Sequence, residues 1–145
     1  MLKGSKTAEN LMKSFAGECQ ARTRYTYYSS IAKKEGYIQI ANIFMETAEQ
    51  EKEHAKIFLK FLKSEYNDEE IEIKASYPVA LHEETKNNLM KAADGENAEW
   101  TKDYPQFAQI AKKEGFNKIA MAYEKIAKIE ARHERRYRRL LNNME

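Results

Sequence analysis

A chain of 145 residues with 25 Lys and Arg against 23 Asp and Glu is about one domain's worth of sequence, and its net charge of +2 gives no global pull toward nucleic acid or an anionic membrane. Its one cysteine, Cys19, excludes an internal disulfide and a four-cysteine metal site. No apolar run approaches the ~20 residues needed to span a bilayer, and Met1-Leu2-Lys3-Gly4-Ser5 lacks the apolar core of a signal peptide, so a reducing cytoplasm is the expected location.

Charged residues make up 33% of the chain and the mean hydropathy is −0.83, so the apolar residues must be concentrated on stripes. Two prolines and five glycines, in a sequence rich in Ala, Glu, Lys and Leu, predict an all-helical protein. The first helix is expected over about 7–36, with Thr7 as N-cap and Gly36 as its end. Its inward row reads Leu11, Phe15, Glu18, Arg22, Tyr25, Ser29, Ala32, which places one acid in the core. Lys33 and Lys34 complement the dipole in the last turn. The second helix, about 37–65, follows after a tight turn, so the two form an antiparallel hairpin. Its seam is Ile40, Phe44, Thr47, Glu51, His54, Phe58, Phe61, in alternating steps of four and three. An acid and an imidazole again fall in the row that should be core.

A linker is expected over about 66–80. Asn67-Asp68 is turn chemistry, and Ile71-Glu72-Ile73 alternates as an extended segment would. An extended stretch of about 14 residues reaches ~46 Å, against ~43 Å for a helix of about 29 residues. The linker can therefore travel the length of a bundle and leave the second and third helices parallel. It is also long enough to exchange helix pairs between two chains.

The third helix is expected over about 81–114 and the fourth over about 116–142. The second half repeats the first: Ile31-Ala32-Lys33-Lys34-Glu35-Gly36 recurs as Ile110-Ala111-Lys112-Lys113-Glu114-Gly115. The fourth helix's seam is the second's displaced by 79: Ile119, Tyr123, Ile126, Glu130, His133, Tyr137, Leu140. Such a repeat is a duplicated helical hairpin rather than a solenoid. Glu18 maps to Glu96 at an offset of 78 and Tyr25 to Tyr104 at 79, so one residue has been inserted between Glu96 and Tyr104. A single insertion that keeps a helix going predicts a π-bulge, here between residues 98 and 104, and such bulges gather at functional sites. Pro105 adds to the expected distortion.

Four helices thus aim Glu18, Glu51, His54, Glu96, Glu130 and His133 at one buried place, with Glu99 one turn beyond Glu96. One Glu from each of two helices plus a Glu-x-x-His from each of the other two is the di-metal carboxylate arrangement of four-helix bundles. Two divalent ions carry the charge that four carboxylates cancel. Oxygen ligands with two imidazoles suit iron or manganese, and can also hold zinc. A single Glu-x-x-His in a Glu-rich helix would be an ordinary exposed pair. Two copies on core seams at one repeat offset, each matched by a Gly-Glu on the partner helix, favour metal. Tyr25 and Tyr104 read as core aromatics whose hydroxyls donate to ligand carboxylates. Cys19 reads as a small, at least partly buried residue and His82 as a surface one. Arg135, Arg136, Arg138 and Arg139 form a basic run, either a solvated face complementing the dipole or a docking patch for an acidic electron-transfer partner.

Three strings, Phe15-Ala16-Gly17-Glu18-x-Gln20-Ala21-Arg22, Glu46-Thr47-Ala48-x-Gln50-Glu51-x-Glu53-His54-Ala55-Lys56, and Gly95-Glu96-x-x-Glu99 with Tyr104-Pro105, make the chain resemble the di-iron domain of rubrerythrins over nearly its whole length. The resemblance implies a ferritin-like four-helix bundle, of two hairpins (about 7–65 and 81–142) in one domain over 1–145. It also implies a non-haem di-iron peroxidase that reduces hydrogen peroxide to water in oxidative stress defence. By the motif match, Glu51 and Glu130 would bridge two irons, with Glu18 and Glu96 terminal and His133 on one iron. His54 would exchange with Glu99 when the site is oxidised. Tyr25 and Tyr104 would serve proton relay beside the site. Full-length members usually carry a rubredoxin domain with iron on four cysteines, whereas this chain has Cys19 alone and ends at Glu145, as either a short branch of the family or a truncated member would. Electrons are then expected from a separate rubredoxin-type donor, and the family suggests a homodimer. The rivals are a ferroxidase that oxidises ferrous ion with dioxygen, and a metal-free structural bundle.

Overall fold

In the computed structural model, which describes residues 1–144, four helical rods carry the chain. They are α1 (Lys6–Lys34), α2 (Ile38–Tyr66), a third rod made of α3 (Thr85–Ala98), a π-helical turn (Glu99–Asp103) and α4 (Tyr104–Lys113), and α5 (Asn117–Asn143). The π-turn lies inside the window the repeat offset predicts. Among the described residues there is no strand, and no helix is long and apolar enough to cross a membrane. The Ile71-Glu72-Ile73 segment is irregular and forms no ladder.

Two helix starts differ from expectation, for one shared reason. The N-cap of α1 is Ser5, whose Oγ accepts the Ala8 N–H at 3.1 Å, while Thr7 sits inside the first turn. Thr7 and Lys6 instead donate their backbone N–H groups to the Glu114 carboxylate, at 2.8 and 3.1 Å, and the Thr7 hydroxyl bonds there too. The third rod starts at Thr85, later than residue 81. Asn88 exchanges two 2.8 Å hydrogen bonds with the His82 backbone and so holds the preceding residues in a turn. Glu35 accepts the Thr85 N–H at 2.7 Å and bonds its hydroxyl as well. The acid in each copy of the repeated hexapeptide thus closes the first helix of the other hairpin, where unpaired N–H groups favour an anion. Gly36 and Gly115, which follow these acids, both have φ of +89°, the left-handed value that glycine accepts without strain.

These crossed caps fix the topology. The end of α1 meets the start of α3, and the end of α4 meets the start of α1. Tyr66 at the end of α2 reaches the Gly4 N–H beside the start of α1. So α2 and α3 run parallel, and the stretch 67–84 carries the chain back along α1. Its Tyr77 hydroxyl donates to the Lys13 carbonyl at 2.6 Å, and the Tyr28 hydroxyl donates to the Ala80 carbonyl.

The buried row of α1 is Leu11, Ser14, Glu18, Ala21, Tyr25, Tyr28 and Ala32. Phe15 and Arg22, expected in that row, are half-buried beside it. Small Ser14 and Ala21 take the inward places, and the Ser14 Oγ is hydrogen-bonded to Tyr123 Oη at 2.8 Å. The seams of α2 and α5 are buried as read, with Phe61 and Leu140 half-buried at their ends. Two apolar clusters result. One gathers Leu11, Phe58, Tyr104, Ile119 and Tyr123, the other Tyr25, Tyr28, Phe44, Leu89 and Tyr137. The acids Glu18, Glu51, Glu96 and Glu130 occupy the same inward rows, flanked by these two clusters.

Candidate metal centre

Each side chain of the centre is placed by helical periodicity. Residues three apart face the same way, so Glu51 with His54 on α2, and Glu130 with His133 on α5, enter the bundle together. Glu18 from α1 and Glu96 from α3 complete the layer. All four carboxylates are at most 1% exposed and both imidazoles at most 5%. Their ligand atoms form two groups, Glu18, Glu51, His54, Glu130 and Glu51, Glu96, Glu130, His133, within each of which all atoms lie within 4.8 Å of one another. Glu51 and Glu130 belong to both groups.

His54 Nδ1 stands 3.1 Å from Glu18, 3.3 Å from Glu51 and 3.4 Å from Glu130. His133 Nδ1 stands 3.5 Å from Glu51, 3.5 Å from Glu96 and 3.3 Å from Glu130. Atoms bound about 2.1 Å from one cation stand about 3 Å apart, so these separations suit ligands around a shared ion. Both oxygens of Glu51, both of Glu130, Glu96 Oε2 and His133 Nδ1 are fully buried with no hydrogen-bond partner. Leaving such groups unmatched costs several kcal/mol. Burial first, and then the neighbouring carboxylates, pushes the Glu51 and Glu130 carboxyls well above the usual range. A pair of divalent cations removes both the orphaned atoms and the mutual repulsion, so the residues present fit a di-metal site.

Glu99 is not in either group. It opens the π-turn, is partly exposed, and borders a cavity of about 380 Å³ enclosed by α1, α3 and the linker. Its Oε2 accepts the Tyr104 hydroxyl at 3.4 Å, and burial, then Glu18, raises its carboxyl well above the usual range. His54 faces Glu18 in the inner group instead. The Tyr104 hydroxyl also donates to Glu18 Oε1 at 2.7 Å, and Tyr25 donates to Glu96 Oε1 at 2.6 Å, the two contacts being related by the repeat. Burial, then those same acids, holds both phenols well above their usual range, so both stay neutral donors.

Two further groups carry no legible sequence signal of their role. Gln50 Oε1 is hydrogen-bonded to His133 Nε2 across the α2–α5 boundary. Glu134 accepts from Trp100 Nε1 at 2.6 Å, Asn97 Nδ2 at 3.0 Å and Arg138 Nε at 3.0 Å, which ties the π-turn to α5. In the basic run, Arg136 pairs with Glu46 and Arg138 with Asp94 and Glu134. Cys19 is half-buried, its thiol raised by burial and then by Glu18. His82 is half-buried rather than fully solvated.

The family model described as Rubrerythrin matches residues 9–141. The chain belongs to the rubrerythrin family. It is 60% identical to the rubrerythrin of Clostridium perfringens over 99% of this chain and 74% of that protein. It is 47% identical to the rubrerythrin of Nitratidesulfovibrio vulgaris over 94% of this chain and 69% of that one. Among solved structures, nigerythrin in its fully reduced, all-ferrous state superposes with a TM-score of 0.84 at 31% identity, covering 99% of this chain and 72% of that one. Rubrerythrins are di-iron oxidoreductases with a ferritin-like bundle, and the buried Glu and His groups of this chain are those that could hold the metal.

Proposed function

We propose that the chain is a non-haem di-iron peroxidase, reducing hydrogen peroxide to water with electrons from a separate rubredoxin-type donor. In this reading Glu18, Glu51, His54 and Glu130 would hold one iron and Glu51, Glu96, Glu130 and His133 the other. Bound iron would supply the redox change and the Lewis acidity. The chain's own residues do the rest. The two aromatic clusters limit water access on either side of the carboxylate layer. Tyr104 holds a phenolic proton between Glu18 and Glu99, and Tyr25 holds one on Glu96. The observation that carries the reading is Glu99. It is a fifth carboxylate, carried on an inserted π-turn and sharing one donor with Glu18. In this reading it takes over from His54, and a carboxylate oxygen suits the harder ferric ion better than an imidazole nitrogen. A homodimer in the cytoplasm is part of the proposal.

Stopped-flow mixing tests it. The protein is loaded anaerobically with ferrous ion, mixed with hydrogen peroxide or with dioxygen, and the visible absorbance of the ferric site is followed. Much faster oxidation by peroxide is expected. Equal or faster oxidation by dioxygen would put the ferroxidase reading first. Glu99→Ala should lower peroxide turnover at least about tenfold, and unchanged turnover would remove Glu99 from the mechanism.

A further inference from the structure

The repeat gives each site residue on α2 a counterpart 79 positions on, Glu51 with Glu130 and His54 with His133. The residue before each glutamate does not match. Gln50 has Ile129 as its counterpart. On one side, His133 turns Nδ1 to the carboxylates and Nε2 to the Gln50 amide oxygen. An amide oxygen only accepts, so Nε2 carries the proton and the Nδ1 lone pair is left for a cation. On the other side, His54 also turns Nδ1 inward, but among the described residues none hydrogen-bonds its Nε2. Ile129 has no acceptor to offer. With His54 it lines a cavity of about 560 Å³, shared with Gln50 and His133, and another of about 430 Å³ walled by Ile57, Met121 and Ile126. The two rings are otherwise alike: 5% and 4% exposed, stacked at 6.3 Å with 21° between their planes.

We propose that Gln50 is the positioning residue that makes the two imidazoles unequal. It tethers the ring and tautomer of His133, while Ile129 leaves His54 untethered beside open space, as the imidazole able to leave. The inference rests on the di-iron reading above, and it makes the choice of the departing ring a property of a single side-chain difference between the halves.

The test uses the full chain loaded with zinc, a diamagnetic occupant, and reads the imidazole N–H groups by proton–nitrogen NMR. In the unsubstituted protein the His133 Nε2–H should be a slowly exchanging resonance, and that of His54 should be lost to exchange. Gln50→Leu should remove the His133 resonance and weaken the binding of one of the two ions by about 10–100-fold in competition titrations. Gln50→Glu, which keeps an acceptor, should restore both. Ile129→Gln should make the His54 resonance appear, and should slow peroxide turnover of the iron-loaded protein without weakening ferrous binding. Equal protection of both rings in the unsubstituted protein, or an unchanged His133 signal in a folded Gln50→Leu variant, would overturn the tether and leave the di-iron reading standing. Saturation below two ions per chain in the unsubstituted protein would instead overturn that reading, and the inference with it.

Discussion

At the centre, Glu18 and Glu96 each lean on one tyrosine, but the two tyrosines are not equivalent. Among the described residues Tyr25 donates to Glu96 alone, whereas Tyr104 donates to Glu18 and also reaches Glu99. The position matching Glu99 across the repeat is Ala21, so the first half has no counterpart to this fifth acid. Replacing either phenol by Phe removes one donor from a ligand carboxylate, and each change should weaken ferrous binding about 10–100-fold by chelator competition. Only Tyr104→Phe should also slow peroxide turnover beyond what the lost metal explains. Equal turnover losses in Tyr25→Phe and Tyr104→Phe, measured at saturating iron, would mean the link to Glu99 carries nothing. The buried acids and imidazoles were legible because charged side chains on a core seam stand out against a 3.6-residue period. Gln50 was not, because its role depends on a contact between α2 and α5 and on the residue missing opposite it. Ser14 and Ala21 were hidden by their size, which made bulky Phe15 and polar Arg22 look like the inward row.

The π-turn was legible at the scale of elements, since a shift of offset from 78 to 79 marks an inserted residue that the helix must absorb. What holds the insertion in place was not, because its clamp lies on another helix. Asn97, Trp100 and Arg138 converge on Glu134. Burial alone would raise the Glu134 carboxyl. Hydrogen bonds from Trp100, Asn97 and Arg138 outweigh that and hold it below the usual range, so it stays charged at neutral pH. Glu134→Ala leaves those donors to solvent and should cost about 1–2 kcal/mol. The same change should shift the emission of Trp100, the chain's one tryptophan, toward longer wavelength. A variant with unchanged melting temperature and emission would show that the turn is held by its backbone alone. The crossed caps at Thr7 and Thr85 were invisible for a similar reason. Glu35 and Glu114 give no capping signal along the chain, because the helix start each one closes lies on the other hairpin, and so the starts of α1 and α3 were misplaced.

For the molecule as a whole, a layer of four buried acids sets how stability responds to pH and metal. In the metal-free protein, burial and then neighbouring carboxylates raise the carboxyls of Glu51, Glu99 and Glu130 well above the usual range. Between the ordinary carboxylate range and those raised values, the folded chain holds more protons than the unfolded one. Stability must therefore fall as pH rises through that window. Metal-free protein should unfold at lower urea concentration near about pH 7 than near about pH 5. Divalent ions need the ionised carboxylates and reverse the slope. At a hundredfold excess over the dissociation constant, one bound ion adds about 2.7 kcal/mol if it ignores the unfolded chain. Urea titrations at the two pH values, with and without ferrous ion under anaerobic conditions, should give slopes of opposite sign. If the metal-free protein instead gains stability toward neutrality, the buried acids are matched by something other than protons or metal. The two hairpins would then be held at their centre by a network that their shared seams do not reveal.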